Sequence, residues 1–222
     1  YHYEALRALG YATSGGADIN ETLYALGNIE AGNPESWYDG WVSLADSVKS
    51  DADRYTHDQT GRGNALLKAS NYYRTAEFLL YPDDPRKLET YHKGVSAFYE
   101  GLDAQHVAYE KIENHYQESY LDGIFFPGDF SQRGDTLILV INGYDSIKEE
   151  TYFVVGKAAL ERGFSFMSYD GPGQGSAIRE RGIHFTPDWE MVNSNVLDAV
   201  LAQHPEIKNV VLVGFSMGSI LA

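Results

Sequence analysis

Along the first half of the chain the apolar positions recur with a period near 3.6. Trp37, Trp41, Leu44, Ala45 and Val48 fall at i, i+4, i+7, i+8 and i+11, one face of a helix. Asn33-Pro34 directly in front supplies a capping side chain and a proline at the first helical position. A second helix is predicted from about Gly63 to Leu80, with Leu66, Ala69, Tyr73, Ala76 and Leu80 on one stripe. Tyr81-Pro82-Asp83-Asp84-Pro85 breaks it, and Asp84-Pro85 starts a third helix that turns Leu88, Tyr91, Val95 and Phe98 inward. These aromatic stripes read first as core. Lining a substrate cavity is the sharper alternative, and it requires a second domain.

From about residue 109 the period changes. Ile112 to Tyr116 and Tyr120 to Phe126 read as two strands ahead of Pro127-Gly128. Leu137 to Ile141 is a short, wholly apolar run, the pattern of a strand buried on both faces. A helix from about Glu149 to Glu161, a strand from Phe164 to Tyr169, and a helix capped by Thr186-Pro187 follow. The last of these buries Trp189, Val192, Val196, Ala199 and Val200. Val210 to Val213 closes the series as a second buried strand. Alternation of this kind predicts a parallel sheet with crossover helices. The fold class is therefore α/β. The domain expectation is a helical part over 1-108 and an α/β part over 109-222.

Composition narrows the partners more than the fold. The 222 residues carry a formal net charge of −15, so nucleic acid and anionic membrane surfaces are poor partners. No apolar run reaches the roughly 18–20 residues of a membrane-spanning helix. The absence of cysteine removes disulfides, thiolate metal sites and a cysteine nucleophile. Tyr1 to Arg7 does not have the pattern of a secretory signal, which leaves the cytoplasm as the default location. The chain begins without Met and stops at Leu221-Ala222 inside a helical pattern, so it reads as a piece of something longer.

The chemistry gathers at the last turn. Gly214-Phe215-Ser216-Met217-Gly218 is a G-x-S-x-G pattern between an apolar strand and a helix start. In that context the turn lifts the Ser216 hydroxyl above the sheet as a nucleophile. It also aims the Met217 N–H at a developing oxyanion. A second donor belongs on the loop after an earlier strand, where Asn142-Gly143-Tyr144-Asp145-Ser146 follows Leu137–Ile141. Gly143 permits close approach, and the Tyr144 N–H is the expected partner of Met217.

Asp170-Gly171-Pro172-Gly173-Gln174-Gly175 also follows a strand, but its glycine spacing is not that of a dinucleotide loop. With no helix expected immediately behind it, it reads as a structural turn near the site. No cofactor and no metal are expected. All seven histidines precede Ser216, whereas α/β-hydrolases order their triad Ser, acid, His. The acid and base are accordingly expected beyond residue 222.

Taken together, four segments resemble the FrsA-like α/β-hydrolases. They are Asn142–Ser146 with Glu149-Glu150, then Tyr169–Gly175, Pro187–Glu190 and Gly214–Gly218. That family includes 2,6-dihydroxypseudooxynicotine hydrolase and hydrolases of fungal polyketide pathways. Ala69 to Phe78 is similar to a segment of the helical domain that precedes the hydrolase core there. The resemblance implies a helical cap domain over 1-108. It makes 109-222 the N-terminal part of the hydrolase core, ending just after the nucleophile elbow. It also implies a Ser216 nucleophile and an oxyanion hole at Gly143-Tyr144. Members cleave ketone-adjacent carbon–carbon bonds, or esters, in small aromatic or polyketide-like substrates.

Two other readings remain open from the residues: an aminopeptidase-like hydrolase, and a non-catalytic binding protein with a degenerate site. The expected partners are a small-molecule substrate and the missing C-terminal half of the hydrolase domain. Apolar helices in the first half could support a homodimer.

Overall fold

Asn33 shows how local chemistry sets the elements. In the computed structural model, which describes residues 1–222, its side chain accepts hydrogen bonds from the N–H groups of Glu35 and Ser36 at 3.1 and 3.2 Å. Pro34 fills the first helical position, and the helix runs Pro34–Ala52. The chain divides into two compact units, Tyr1–Val107 and Ala108–Ala222.

The first unit is all helix: α1 (His2–Gly10), a 3-10 turn (Tyr11–Ser14), α2 (Ile19–Gly27), α3 (Pro34–Ala52), α4 (Gln59–Glu77) and α5 (Pro85–Ala104). Trp37, Trp41, Leu66, Tyr72 and Tyr73 make its core. No helix of the protein is long and apolar enough to cross a membrane. α4 begins four residues earlier than the pattern predicts, because Asp58 caps it through the Gly61 N–H at 2.8 Å.

α5 corrects the sequence reading. Leu88 is 39% exposed and Val95 only half-buried, while Tyr91, Gly94, Ala97, Phe98, Gly101 and Leu102 face inward. The cause is glycine. A Cβ on Gly101 would stand 2.9 Å from the Leu67 Cγ and 3.2 Å from the Gly63 carbonyl oxygen. The backbones of α4 and α5 therefore approach along a face that a count of apolar side chains does not score.

The second unit holds β1 (Glu110–Tyr116), β2 (Ser119–Phe126), β3 (Arg133–Ile141), a π-helical turn (Tyr152–Gly156) running into α6 (Lys157–Leu160), and β4 (Phe164–Tyr169). After these come α7 (Gly175–Arg181), α8 (Trp189–Gln203), β5 (Asn209–Gly214) and α9 (Gly218–Leu221). The sheet order is β1-β2-β4-β3-β5. β3, β4 and β5 are parallel as expected, but the β1–β2 hairpin joins β4 antiparallel, so the sheet is mixed.

β3 lies between β4 and β5, and Leu137, Leu139, Val140 and Ile141 are fully buried. Within residues 1–222 the burial that β5's apolar run predicts is incomplete. The strand pairs only with β3, and Val211 and Leu212 stay 45% and 46% exposed. The helix predicted over Glu149–Glu161 is present but widened by the π-turn. α8 starts behind Asp188 rather than at a Thr186-Pro187 cap, and its Ala199 is only half-buried.

Candidate active site

β3 and β5 are parallel neighbours with Ile141 opposite Gly214, so the segments that follow them emerge side by side at the carboxyl edge of the sheet. Open α/β sheets bind their ligands at that edge. One of these segments is Asn142–Ser146. The other is the Gly214–Gly218 turn, which is sharp enough to hold Ser216 at φ +52°, a left-handed conformation uncommon outside glycine.

Both flanking glycines are obligatory. A Cβ on Gly214 would stand 2.4 Å from the Gly218 carbonyl oxygen, and one on Gly218 would stand 2.2 Å from that of Ile141. Both obstacles are backbone and have nowhere to go. The Ser216 side chain is exposed at the tip, and Met217 follows it as the N-cap of α9. The Phe215 N–H donates to the Ile141 carbonyl at 3.3 Å, which holds the turn against the end of β3.

Gly143 lies against this turn. A methyl group there would sit 3.4 Å from the Ser216 Cβ and 4.0 Å from its Oγ. The residues singled out from sequence thus divide simply. Ser216 and Gly143 are brought together, Met217 is adjacent in the chain, and the Tyr144 side chain is 75% exposed. Whatever Tyr144 offers here is its backbone.

A buried polar network, not foreseen from sequence, braces these loops. Asp170 is fully buried and accepts from the Lys148 N–H at 2.8 Å, the Lys148 Nζ at 3.2 Å, the Ser176 N–H at 2.9 Å and the Ser176 Oγ at 3.1 Å. The Lys148 Nζ also lies 2.8 Å from the Glu149 carboxylate. Burial pushes the Glu149 carboxyl above the ordinary carboxylate range, with the neighbouring Lys148 opposing the shift. Arg181 donates to the Ser176 Oγ at 2.7 Å and pairs with Asp122 on β2. The Asn142 side chain donates to the Tyr169 carbonyl at 3.0 Å, tying the end of β3 to the end of β4.

Gln174, buried like Asp170, donates to the carbonyls of Asn142 and Gly143 at 2.8 and 2.9 Å and accepts from the Gly171 N–H at 3.1 Å. One signal could have found these residues. Loops after neighbouring parallel strands must meet, so polar residues immediately after β3 and β4 are natural partners.

The turn over Asp170–Gly175 also needs a correction, since a helix does open immediately behind it, at Gly175. Its first turn is filled by the protein's own Asp170 carboxylate. A Cβ on Gly175 would stand 2.1 Å from the Asp170 Cγ, which is why glycine is required there. Among the histidines, His204 stacks on Phe125 with ring centroids 3.9 Å apart and has Nδ1 3.3 Å from Glu206. It precedes β5, at the opposite end of the strand from Ser216. Six residues at roughly 3.3 Å each separate the two ends.

No protein-family model matches the chain. Over its whole length it is 35% identical to the hydrolase acrC of Aspergillus aculeatus, covering 57% of that protein. It is 34% identical, again over its whole length, to the 20-hydroxy-prefusarin hydrolase FUS2 of Gibberella moniliformis, covering 56% of it. Among solved structures, 2,6-dihydroxy-pseudo-oxynicotine hydrolase superimposes with a TM-score of 0.74 at 22% identity, over 95% of this chain and 58% of that one. The chain spans a little over half the length of the curated relatives it matches. Strand order, structural neighbour and relatives agree: the chain has part of the α/β-hydrolase fold and is similar over its whole length to part of proteins named as hydrolases of that type.

Proposed function

We propose that Ser216 is the nucleophile of a serine hydrolase acting on a small ketone- or ester-bearing molecule of aromatic or polyketide-like character. The observation that carries this reading is the φ of +52° at Ser216, held between two glycines whose Cβ atoms would strike backbone. Strain of this kind persists only where the surrounding structure enforces it, and it presents the hydroxyl clear of the sheet. The names of the relatives support the substrate class: FUS2 is a 20-hydroxy-prefusarin hydrolase, and the solved neighbour is a 2,6-dihydroxy-pseudo-oxynicotine hydrolase.

In this reading the Ser216 Oγ bonds to the substrate carbonyl carbon as its proton passes to a histidine base. The N–H groups of Tyr144 and Met217 hold the resulting oxyanion, and Gly143 leaves room for it. Collapse of the tetrahedral species breaks the adjacent C–C or C–O bond, and the base returns its proton to the leaving group. A carbon leaving group needs a neighbouring ketone or electron-rich ring to carry its charge. Water then hydrolyses the acyl-enzyme and regenerates Ser216. The histidine and its carboxylate partner are assigned to the rest of the full-length protein, and the helical unit to the role of cap domain.

A fluorophosphonate probe on the full-length protein tests the assignment. One adduct by intact mass, absent in Ser216→Ala, is the expected result. No adduct, or one that survives the substitution, refutes it.

A further inference from the structure

We propose that Gln174 is a positioning residue that sets the direction of the Tyr144 N–H. This inference rests on the serine-hydrolase reading above. Its basis is the geometry of one peptide unit. The carbonyl of Gly143 and the N–H of Tyr144 belong to the same planar trans amide, so they point in opposite directions. The Gln174 Nε2 takes the Gly143 carbonyl at 2.9 Å, and the Tyr144 N–H must therefore face away from Gln174. The same amide group takes the Asn142 carbonyl at 2.8 Å, so both of its hydrogens are committed and the peptide cannot rotate without losing one. Gly143 itself faces the Ser216 turn, with its Cβ direction 3.4 Å from the Ser216 Cβ.

Gln174 is held in its turn. Its Oε1 accepts the Gly171 N–H at 3.1 Å, and Asp170 anchors the start of the turn through the Lys148 and Ser176 backbone N–H groups at 2.8 and 2.9 Å. Gln174 is 1% exposed and Asp170 is fully buried, so water does not compete for these bonds. A preorganised oxyanion donor works only if its direction is fixed before the charge develops. Gln174 supplies that rigidity from a loop 31 residues away in sequence. It does so without touching the substrate.

The test is inactivation of the full-length protein by diisopropyl fluorophosphate, whose phosphorylation step develops charge at the same oxygen position. Gln174→Met keeps the length and removes both donors. The bond-forming rate constant is expected to fall about 100-fold, the cost typical of a misplacement near 1 Å, while the binding constant for the probe changes less than threefold. A general loosening of the fold would move both constants together and lower the melting temperature. Wild-type bond formation in a folded Gln174→Met protein overturns the Gln174 assignment and leaves Ser216 standing. Failure of the wild type to label at Ser216 removes both.

If Gln174→Met does not fold, the structure of the wild-type adduct decides. The phosphoryl oxygen is expected to accept from the Tyr144 N–H with Gln174 still on the Gly143 carbonyl. An oxygen turned away from Tyr144 overturns the proposal.

Discussion

Replacing Asp170 with Asn probes the buried network directly. Four donors converge on this fully buried carboxylate, one on Oδ1 and three on Oδ2. An asparagine keeps one acceptor oxygen and turns the other position into a donor. With the amide oxygen in the Oδ2 position, the new NH₂ faces the Lys148 N–H, which loses its acceptor in a dry site. That alone costs about 1–3 kcal/mol. Lys148 also loses one of its two carboxylate partners. Breaking a buried ion pair outright costs about 3–5 kcal/mol, but Glu149 remains 2.8 Å away and keeps the ammonium paired, which puts this contribution well below that range. The sum is about 3 kcal/mol, or on the order of 10 °C in melting temperature for a unit of this size. Urea unfolding followed by circular dichroism, with exposed Asp83→Asn as the control expected to stay within about 0.5 kcal/mol, measures it. A loss below about 1 kcal/mol for Asp170→Asn would refute the view that this carboxylate, as an ion, holds the loop after β3 to the turn after β4.

Two further substitutions test other parts of the packing. Glu149 has its carboxyl raised in the folded state by burial, so the folded protein binds a proton that the unfolded chain has released over the interval between the two values. That contribution to stability is complete below the unfolded value of about 4.3 and is lost as pH rises through the folded one. Glu149→Gln should therefore flatten the fall in stability above the unfolded value, which unfolding curves at several pH values would show, and an unchanged slope would count against the shift. Gly101→Ala should cost about 1–2 kcal/mol despite the better helix propensity of alanine, because its Cβ would press on the Leu67 Cγ at 2.9 Å. A stabilised variant in thermal melts would mean that α4 and α5 can separate freely.

Local chemistry was legible wherever a few adjacent residues decide the outcome. Asn33-Pro34 and Asp84-Pro85 start helices because the capping side chain and the proline act within one turn. The apolar run Leu137–Ile141 marks an inner strand of the sheet, and G-x-S-x-G between strand and helix marks a sharp turn, because a Cβ at either glycine would meet backbone only a few residues or one strand away. Val210–Val213 reads as a strand from its composition and is one, but its burial depends on what packs beside it, and within residues 1–222 its paired neighbour is β3. The inward face of α5 was misplaced for a related reason: glycines 94 and 101 bury their helix by letting another backbone approach, which no side-chain pattern records.

What the sequence by itself determined about this protein is thus its class, the order of most of its elements and the position of its candidate nucleophile. The tertiary structure alone decided that β4 lies between β2 and β3, that Asp170 fills the first turn of α7, and that Gln174 grips the carbonyls of Asn142 and Gly143. The physical reason is range. Caps, turns and periodicity are settled within a few residues by torsions and short hydrogen bonds. A buried amide, by contrast, finds its partners across the 31 and 32 residues that chain folding brings together.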